Sequence, residues 1–139
     1  FMDTDCPYCV QSAKDIGDWD AIFDAANPEW GNEDVQVIAV AAELNIQGHD
    51  SSREEIEAFR DKSAGYTCAK QDCSSREGSA HAFPYVDDLS LDAMDAWKVR
   101  GTPTYFVIQP DGIIAWTSDN TARYSNAGEA VAALAVVDA

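Results

Sequence analysis

The chain opens with FMDTDCPYCVQSAKDIGDW (residues 1–19), in which Cys6 and Cys9 enclose a proline and a tyrosine. The apolar residues that follow the second cysteine recur near helical spacing. Pro7 suits the first position of a helix, because the backbone N–H that it lacks would have no partner there. The spacing therefore predicts a helix from Pro7 to about Ala26, with the cysteine pair at its N-terminal end.

The rest of the chain alternates strand-like and helix-like segments. In the helix predicted over 51–62, Ser51 and Glu54 have the spacing of a capping box. The turn QPDG (109–112) has proline second and glycine fourth and joins two β-rich runs. We predict strands at 35–44 and 83–86, helices at 51–62, 90–99 and 126–137, a hairpin over 104–116, and a Cys-containing insertion at about 65–82.

This alternation indicates crossover connections around a mainly parallel sheet, with the hairpin as an antiparallel edge. We therefore predict an α/β fold and one domain over residues 1–139, a length that buries a real core. A helix with reactive residues at its N-terminus normally follows a strand, and only Phe1 and Met2 stand where that strand belongs. We expect the sequence to begin inside the first central strand.

The charge of the chain excludes several classes of partner. Twenty-five acidic residues against nine basic ones give a formal net charge of −16 and a pI near 4.1. Such a surface repels phosphate backbones and anionic lipids, so we expect neither nucleic acid nor direct lipid binding. No apolar run approaches the roughly 20 residues of a membrane span. An acidic surface suits either plain solubility or a high-salt habitat, where salt screens its self-repulsion.

The four cysteines form two close pairs, Cys6 with Cys9 and Cys68 with Cys73. Two pairs favour an oxidising compartment or thiol chemistry, and no histidine follows either pair as covalent haem attachment requires. For the first pair the alternatives are a redox-active dithiol, a pair that no longer turns over, and half of a metal site. A purely structural disulfide is disfavoured, because closing so short a loop removes little conformational entropy from the unfolded chain.

For the second pair we favour a structural disulfide that holds the insertion. A zinc or copper site with His49 or His81, the only two histidines, stays open as an alternative. A second redox pair that relays disulfides is the remaining possibility.

The first pair has the features of a reactive dithiol. The unpaired N–H groups and the positive dipole of a helix N-terminus lower the pKa of a thiol at Cys6. Asp3 and Asp5 act in the opposite direction, because like charge raises that pKa. Cys9 lies one turn further on, where it can donate to the Cys6 thiolate and then close a disulfide. We expect Cys9 to be the less exposed of the two.

CPYC at a strand-to-helix junction, followed by RGTPTYFVIQPDGII (100–114), resembles the thioredoxin superfamily, in particular its TlpA/ResA-like branch. The resemblance covers nearly the whole chain. It implies a thioredoxin-like fold with a central mixed sheet flanked by helices. It also implies a thiol–disulfide oxidoreductase that acts on protein thiols or disulfides without a cofactor or a metal.

The resemblance also implies roles for individual residues. Cys6 would attack a partner disulfide and Cys9 would resolve the mixed disulfide. Pro103 would be a cis-proline facing the sulfurs, and the backbone of Thr102 would pair with the bound substrate. The residues implied at the substrate surface are Pro7, Tyr8, Thr102 and Pro103, and Glu43 is the implied proton acceptor for the resolving thiol.

The sequence departs from the family pattern in three places. Asp5 stands where an aromatic residue usually precedes the first cysteine, and Lys14 stands near the place of a helix-kinking proline. CPYC itself is the glutaredoxin form of the motif. The rival interpretation is a non-catalytic thioredoxin-like module of a larger assembly with a static disulfide. We expect an exported protein, periplasmic or extracytoplasmic, with a membrane tether or larger complex reached through a segment upstream of Phe1.

Overall fold

The structure, a computed structural model, describes residues 1–24 and 35–138. It is a mixed α/β arrangement of four α-helices and short strands within those ranges. The helices are α1 (Pro7–Asp24), α2 (Arg53–Asp61), α3 (Asp92–Ala96) and α4 (Ala127–Asp138). The strands are β1 (Ala39–Ala42), β2 (Thr67–Cys68), β3 (Gln71–Asp72), β4 (Tyr85–Asp88), β5 (Phe106–Ile108) and β6 (Ile114–Thr117).

The strands pair two by two. β1 and β4 are parallel, with Ala39 opposite Tyr85, whereas β5 and β6 form an antiparallel hairpin. β2 and β3 form a small antiparallel hairpin inside the predicted insertion. The parallel pair and the late hairpin establish the α/β class that the sequence predicts.

The first two residues connect the two larger sheets. Met2 donates to the Val40 carbonyl and accepts from the Ala42 amide, both at 2.8 Å, which is parallel pairing with β1. On the other side, the Phe1 amino group donates to the Thr104 carbonyl at 2.8 Å, and the Thr104 amide donates back at 3.1 Å. The N-terminal residues therefore lie between β1 and the segment that leads into β5.

The core has two apolar clusters on opposite sides of β1, because successive strand residues point to opposite faces. Ala41 belongs to the larger cluster and Ala42 to the smaller. Phe59 of α2 is almost completely buried in the larger cluster. That cluster also contains all four cysteines, so the fold collects both pairs on one side of β1.

The start of α2 differs from the prediction by one residue. Ser52, not Ser51, is the N-cap, and it forms the capping box with Glu55 instead of Glu54. The Glu55 amide donates to Ser52 Oγ, and the Ser52 amide donates to Glu55 Oε1, both at 3.2 Å. The Ser51 hydroxyl does not cap the helix, because it forms buried hydrogen bonds to the segment before Cys6.

Other boundaries also move. The strand predicted over 35–44 is confined to Ala39–Ala42, and the one predicted over 83–86 runs from Tyr85 to Asp88. The helix predicted over 90–99 shortens to α3, whose first amides bind the Asp88 carboxylate at 2.8 and 2.9 Å. The predicted end of the first helix, at about Ala26, lies outside the described residues. No described helix is long and apolar enough to cross a membrane.

Candidate active site

The segment before α1 is fixed by a buried carboxylate. Asp3 is completely buried, and its two oxygens accept from the Asp5 and Leu44 amides at 2.8 Å. Ser51 Oγ donates a longer bond of 3.3 Å to the same carboxylate. These bonds attach the chain just before Cys6 to the end of β1, which sets the direction in which α1 leaves the sheet.

Both cysteines of the CPYC motif carry free thiols at the start of α1. The Cys9 amide donates to Cys6 Sγ at 3.3 Å, one of the otherwise unpaired N–H groups of the first helical turn. The two side chains are almost equally buried, at 4% exposed for Cys6 and 3% for Cys9. Cys9 is thus the less exposed by a very small margin, and Cys6 is not open to solvent.

The hydrogen bonds separate the pKa values of the two thiols. A hydrogen bond from the Cys9 thiol, the largest cause, lowers the pKa of Cys6 to about 6, with smaller contributions from Thr102 and from the backbone of Cys9 and Tyr8. Burial opposes this shift. The same hydrogen bond, together with burial, raises the pKa of Cys9 far above its usual range. The thiol of Cys6 is therefore the more acidic of the two, and the thiol of Cys9 keeps its proton.

The loop before β5 lies against the sulfur of Cys6. The Thr102–Pro103 peptide bond is cis, and both residues are half-buried. Cys6 Sγ donates to the Thr102 carbonyl at 3.4 Å, although 96 residues separate the two in sequence. The pairing of Phe1 with Thr104 holds this loop next to the start of α1. The structure thus brings together Cys6, Cys9, Thr102 and Pro103.

The other residues implied by the resemblance have different surroundings. Pro7 and Tyr8 are exposed, and Tyr8 has 68% of its surface open beside the cysteine pair. Glu43 is half-buried and accepts a hydrogen bond from the Asn45 amide. Within residues 1–24 and 35–138, no hydrogen bond or ion pair connects Glu43 to either cysteine. Asp3 is the completely buried carboxylate near the pair, and its backbone donates to Cys9.

Cys68 and Cys73 are joined by a disulfide at the β2–β3 hairpin. The hairpin contacts the segment before α1, because the Ala69 amide donates to Asp5 Oδ1 at 3.2 Å. The alternative of a metal bound by this pair and His81 is not supported, since His81 binds the Ala13 carbonyl and the Tyr85 hydroxyl at 2.7 Å. Burial lowers the pKa of His81 to about 4, so this buried ring is neutral.

A groove of about 200 Å³ separates α1 from the disulfide hairpin and begins at the CPYC motif. Its walls are mixed in polarity, and the two sulfurs of the Cys68–Cys73 bridge belong to the hairpin that forms one side. The lining residues are Pro7, Val10, Gln11, Cys68, Ala69, Gln71, Asp72, Ser75 and Arg76.

One side-chain cluster was not predicted from the sequence. His49 lies between two carboxylates, with Nδ1 at 2.6 Å from Asp5 Oδ2 and Nε2 at 3.5 Å from Glu55 Oε2. The hydrogen bond to Asp5 raises the pKa of His49 above its usual value. Asp5 therefore has a hydrogen-bonded imidazole partner, whereas the sequence alone presents it as an uncompensated charge beside Cys6. No local pattern around His49 indicates this contact.

Comparison of the chain with protein-family models, with curated proteins and with solved structures finds no match. The interpretation of the site therefore depends on its own geometry and chemistry.

Proposed function

We propose that this protein is a thiol–disulfide oxidoreductase of thioredoxin-like fold that exchanges disulfides with protein partners through Cys6 and Cys9. The parallel β1–β4 pair with Met2 bridged to β1, and the antiparallel β5–β6 hairpin joined to Phe1 through Thr104, support the finer fold assignment, because a thioredoxin-like fold combines parallel and antiparallel strands in this order. α4 after the hairpin matches the last helix expected of such a fold.

The environment of the Cys6 sulfur is the main support for the proposed activity. Cys6 Sγ lies at the N-terminus of an 18-residue helix, accepts the Cys9 amide at 3.3 Å and contacts Thr102 of a loop from the far end of the chain. The Cys9 amide and the helix N-terminus stabilise a thiolate at Cys6, which is the reactive species in disulfide exchange, whereas an inert structural cysteine has no such donor. The pKa of Cys6, about 6, leaves most of it deprotonated at neutral pH.

The reaction is balanced within the dithiol and its substrate. The Cys6 thiolate attacks one sulfur of a partner disulfide, so that the partner S–S bond breaks, a mixed disulfide forms and one partner thiolate leaves. Cys9 then attacks the Cys6 sulfur, and its proton goes to the second partner sulfur as that sulfur departs. The partner has gained two electrons and Cys6–Cys9 is oxidised. A dithiol reductant restores the pair for another turnover.

The surroundings of the sulfurs support a protein partner. Tyr8 offers a large exposed ring, and the groove beside α1 accommodates an extended segment. Cys6 itself is 4% exposed, so the partner sulfur reaches it only when the neighbouring side chains shift. The Cys68–Cys73 disulfide supports the proposal of an oxidising, extracytoplasmic location, because reducing compartments rarely preserve such bonds.

Reduction of insulin by dithiothreitol tests the activity. We expect the wild type to accelerate insulin precipitation and Cys6→Ser to abolish the acceleration, since serine lacks the nucleophilic sulfur. Tyr8→Ala, which leaves both sulfurs in place, should slow the reaction without abolishing it. Equal activity of the wild type and Cys6→Ser, or none in either, would favour the rival interpretation of a non-catalytic module.

A further inference from the structure

Asp5, His49 and Glu55 bring three potential metal ligands together at the surface next to α2. One ligand atom from each residue lies within 4.8 Å of the others. The residues come from three separate parts of the chain, namely the segment before α1, the loop after β1 and the first turn of α2. The three residues are therefore brought together by the tertiary structure and not by their spacing in the sequence.

Glu55 contributes the observation that points to a ligand. Its Oε1 accepts from the Ser52 amide and hydroxyl in the capping box, which fixes the orientation of the carboxylate. Its Oε2 is buried and accepts no hydrogen bond from any residue that the structure describes. The residue is 9% exposed, and Oε2 faces His49 at 3.5 Å. A buried carboxylate oxygen without a donor is costly unless a cation neutralises it.

Asp5 is held in place in the same manner. Its Oδ1 accepts from the Ala69 amide at 3.2 Å, and its Oδ2 accepts from Ser51 Oγ at 3.1 Å. The carboxylate is therefore oriented before any ion binds, with Oδ2 toward His49. The imidazole is the accessible member, since 46% of its side chain is exposed, and a metal ion can reach the cluster from solvent on this side.

We propose that Asp5, His49 and Glu55 form a binding site for a divalent transition-metal ion of the zinc type. Imidazole nitrogen with two carboxylate oxygens suits Zn²⁺, and three protein ligands leave a coordination position for water. The formal charge of −16 attracts cations to the whole surface, and this cluster adds directed ligands. The site uses neither Cys6 nor Cys9 and does not depend on the proposed redox activity.

The experiment measures Zn²⁺ binding in a Cys6→Ser/Cys9→Ser background, which removes the free thiols as competing ligands. Competition with a chromophoric chelator gives the affinity and the stoichiometry. Glu55→Gln removes the ligating charge but preserves the capping box, because glutamine also serves at that position. Glu57→Gln is the matched control, with the same change of charge on the exposed side of the same helix.

We expect one Zn²⁺ per chain and an affinity that falls at least about tenfold in Glu55→Gln, because the loss of even an outer-shell partner of a metal ligand typically costs that much. Glu57→Gln should retain the affinity. NMR of the two imidazoles adds an independent readout, since Zn²⁺ should shift the His49 resonances and leave those of buried His81 unchanged. Absence of saturable binding, equal losses in both glutamine variants, or unshifted His49 resonances would overturn the proposal. His49 would then only bridge two carboxylates without binding a metal.

Discussion

Removal of the Cys9 sulfur gives the most quantitative test of how the site activates Cys6. The Cys9 thiol is the largest cause that lowers the pKa of Cys6 from the ordinary value of 9.0 to about 6. At pH 7 a pKa of about 6 corresponds to roughly 90% thiolate, against about 1% for a thiol at 9.0. Cys9→Ala should therefore raise the pKa of Cys6 and remove much of its thiolate at neutral pH.

Cys9→Ser is the matched variant, because its hydroxyl still donates to Cys6 while the second titrating sulfur is gone. We expect a pKa for Cys6 between those of the wild type and Cys9→Ala. The pH dependence of ultraviolet thiolate absorbance measures each value, with a chelator present so that no metal contributes charge nearby. A Cys6 pKa near 9 in the wild type, or one that Cys9→Ala leaves unchanged, would refute this account of the activation.

Three further predictions concern the fold. Phe59→Ala should lower the free energy of unfolding by about 3–5 kcal/mol in urea titrations, because Phe59 is fully buried in the larger core cluster. A loss below about 1 kcal/mol would contradict that packing. Replacing Cys68 and Cys73 by serine should cost about 2 kcal/mol, as expected for so short a closed loop, and unchanged stability under oxidising conditions would argue against the bond. His81 has a pKa of about 4 in the folded protein, against 6.5 in the unfolded chain. Its contribution to stability is therefore present above pH 6.5 and is lost as the pH falls toward 4. Urea titrations over that range should show this slope reduced in His81→Gln, and an equal slope in both proteins would contradict it.

Local patterns predict the elements of this fold better than their ends. The hairpin and the alternation of strands and helices follow from β-branched runs, turn residues and helical spacing, and they are present in the structure. The cap of α2 shows why the ends move. Ser51 and Ser52 both precede a glutamate by three residues, so the sequence offers two capping boxes. Tertiary contacts decide between them, because Ser51 is used by Asp3 and Asp5.

The candidate site divides in the same manner. The position of Cys6 and Cys9 at a helix N-terminus follows from local sequence, and the structure has it so. The contact of Cys6 with Thr102 spans 96 residues, and only the resemblance to a known family implied it. Neither the local sequence nor the resemblance indicated the position of His49. Its partners lie 44 residues before it and 6 residues after it, in elements whose packing no local pattern reveals.

The most direct test of the central claim is the isolation of the mixed disulfide. Cys9→Ser protein is incubated with a disulfide-containing substrate protein, quenched with acid and analysed by peptide mass mapping. The proposed exchange predicts a covalent adduct through Cys6, which accumulates because the resolving sulfur is absent, and no adduct in Cys6→Ser. An adduct that forms through Cys68 or Cys73, or no adduct with either variant, would contradict the assignment of Cys6 as the nucleophile.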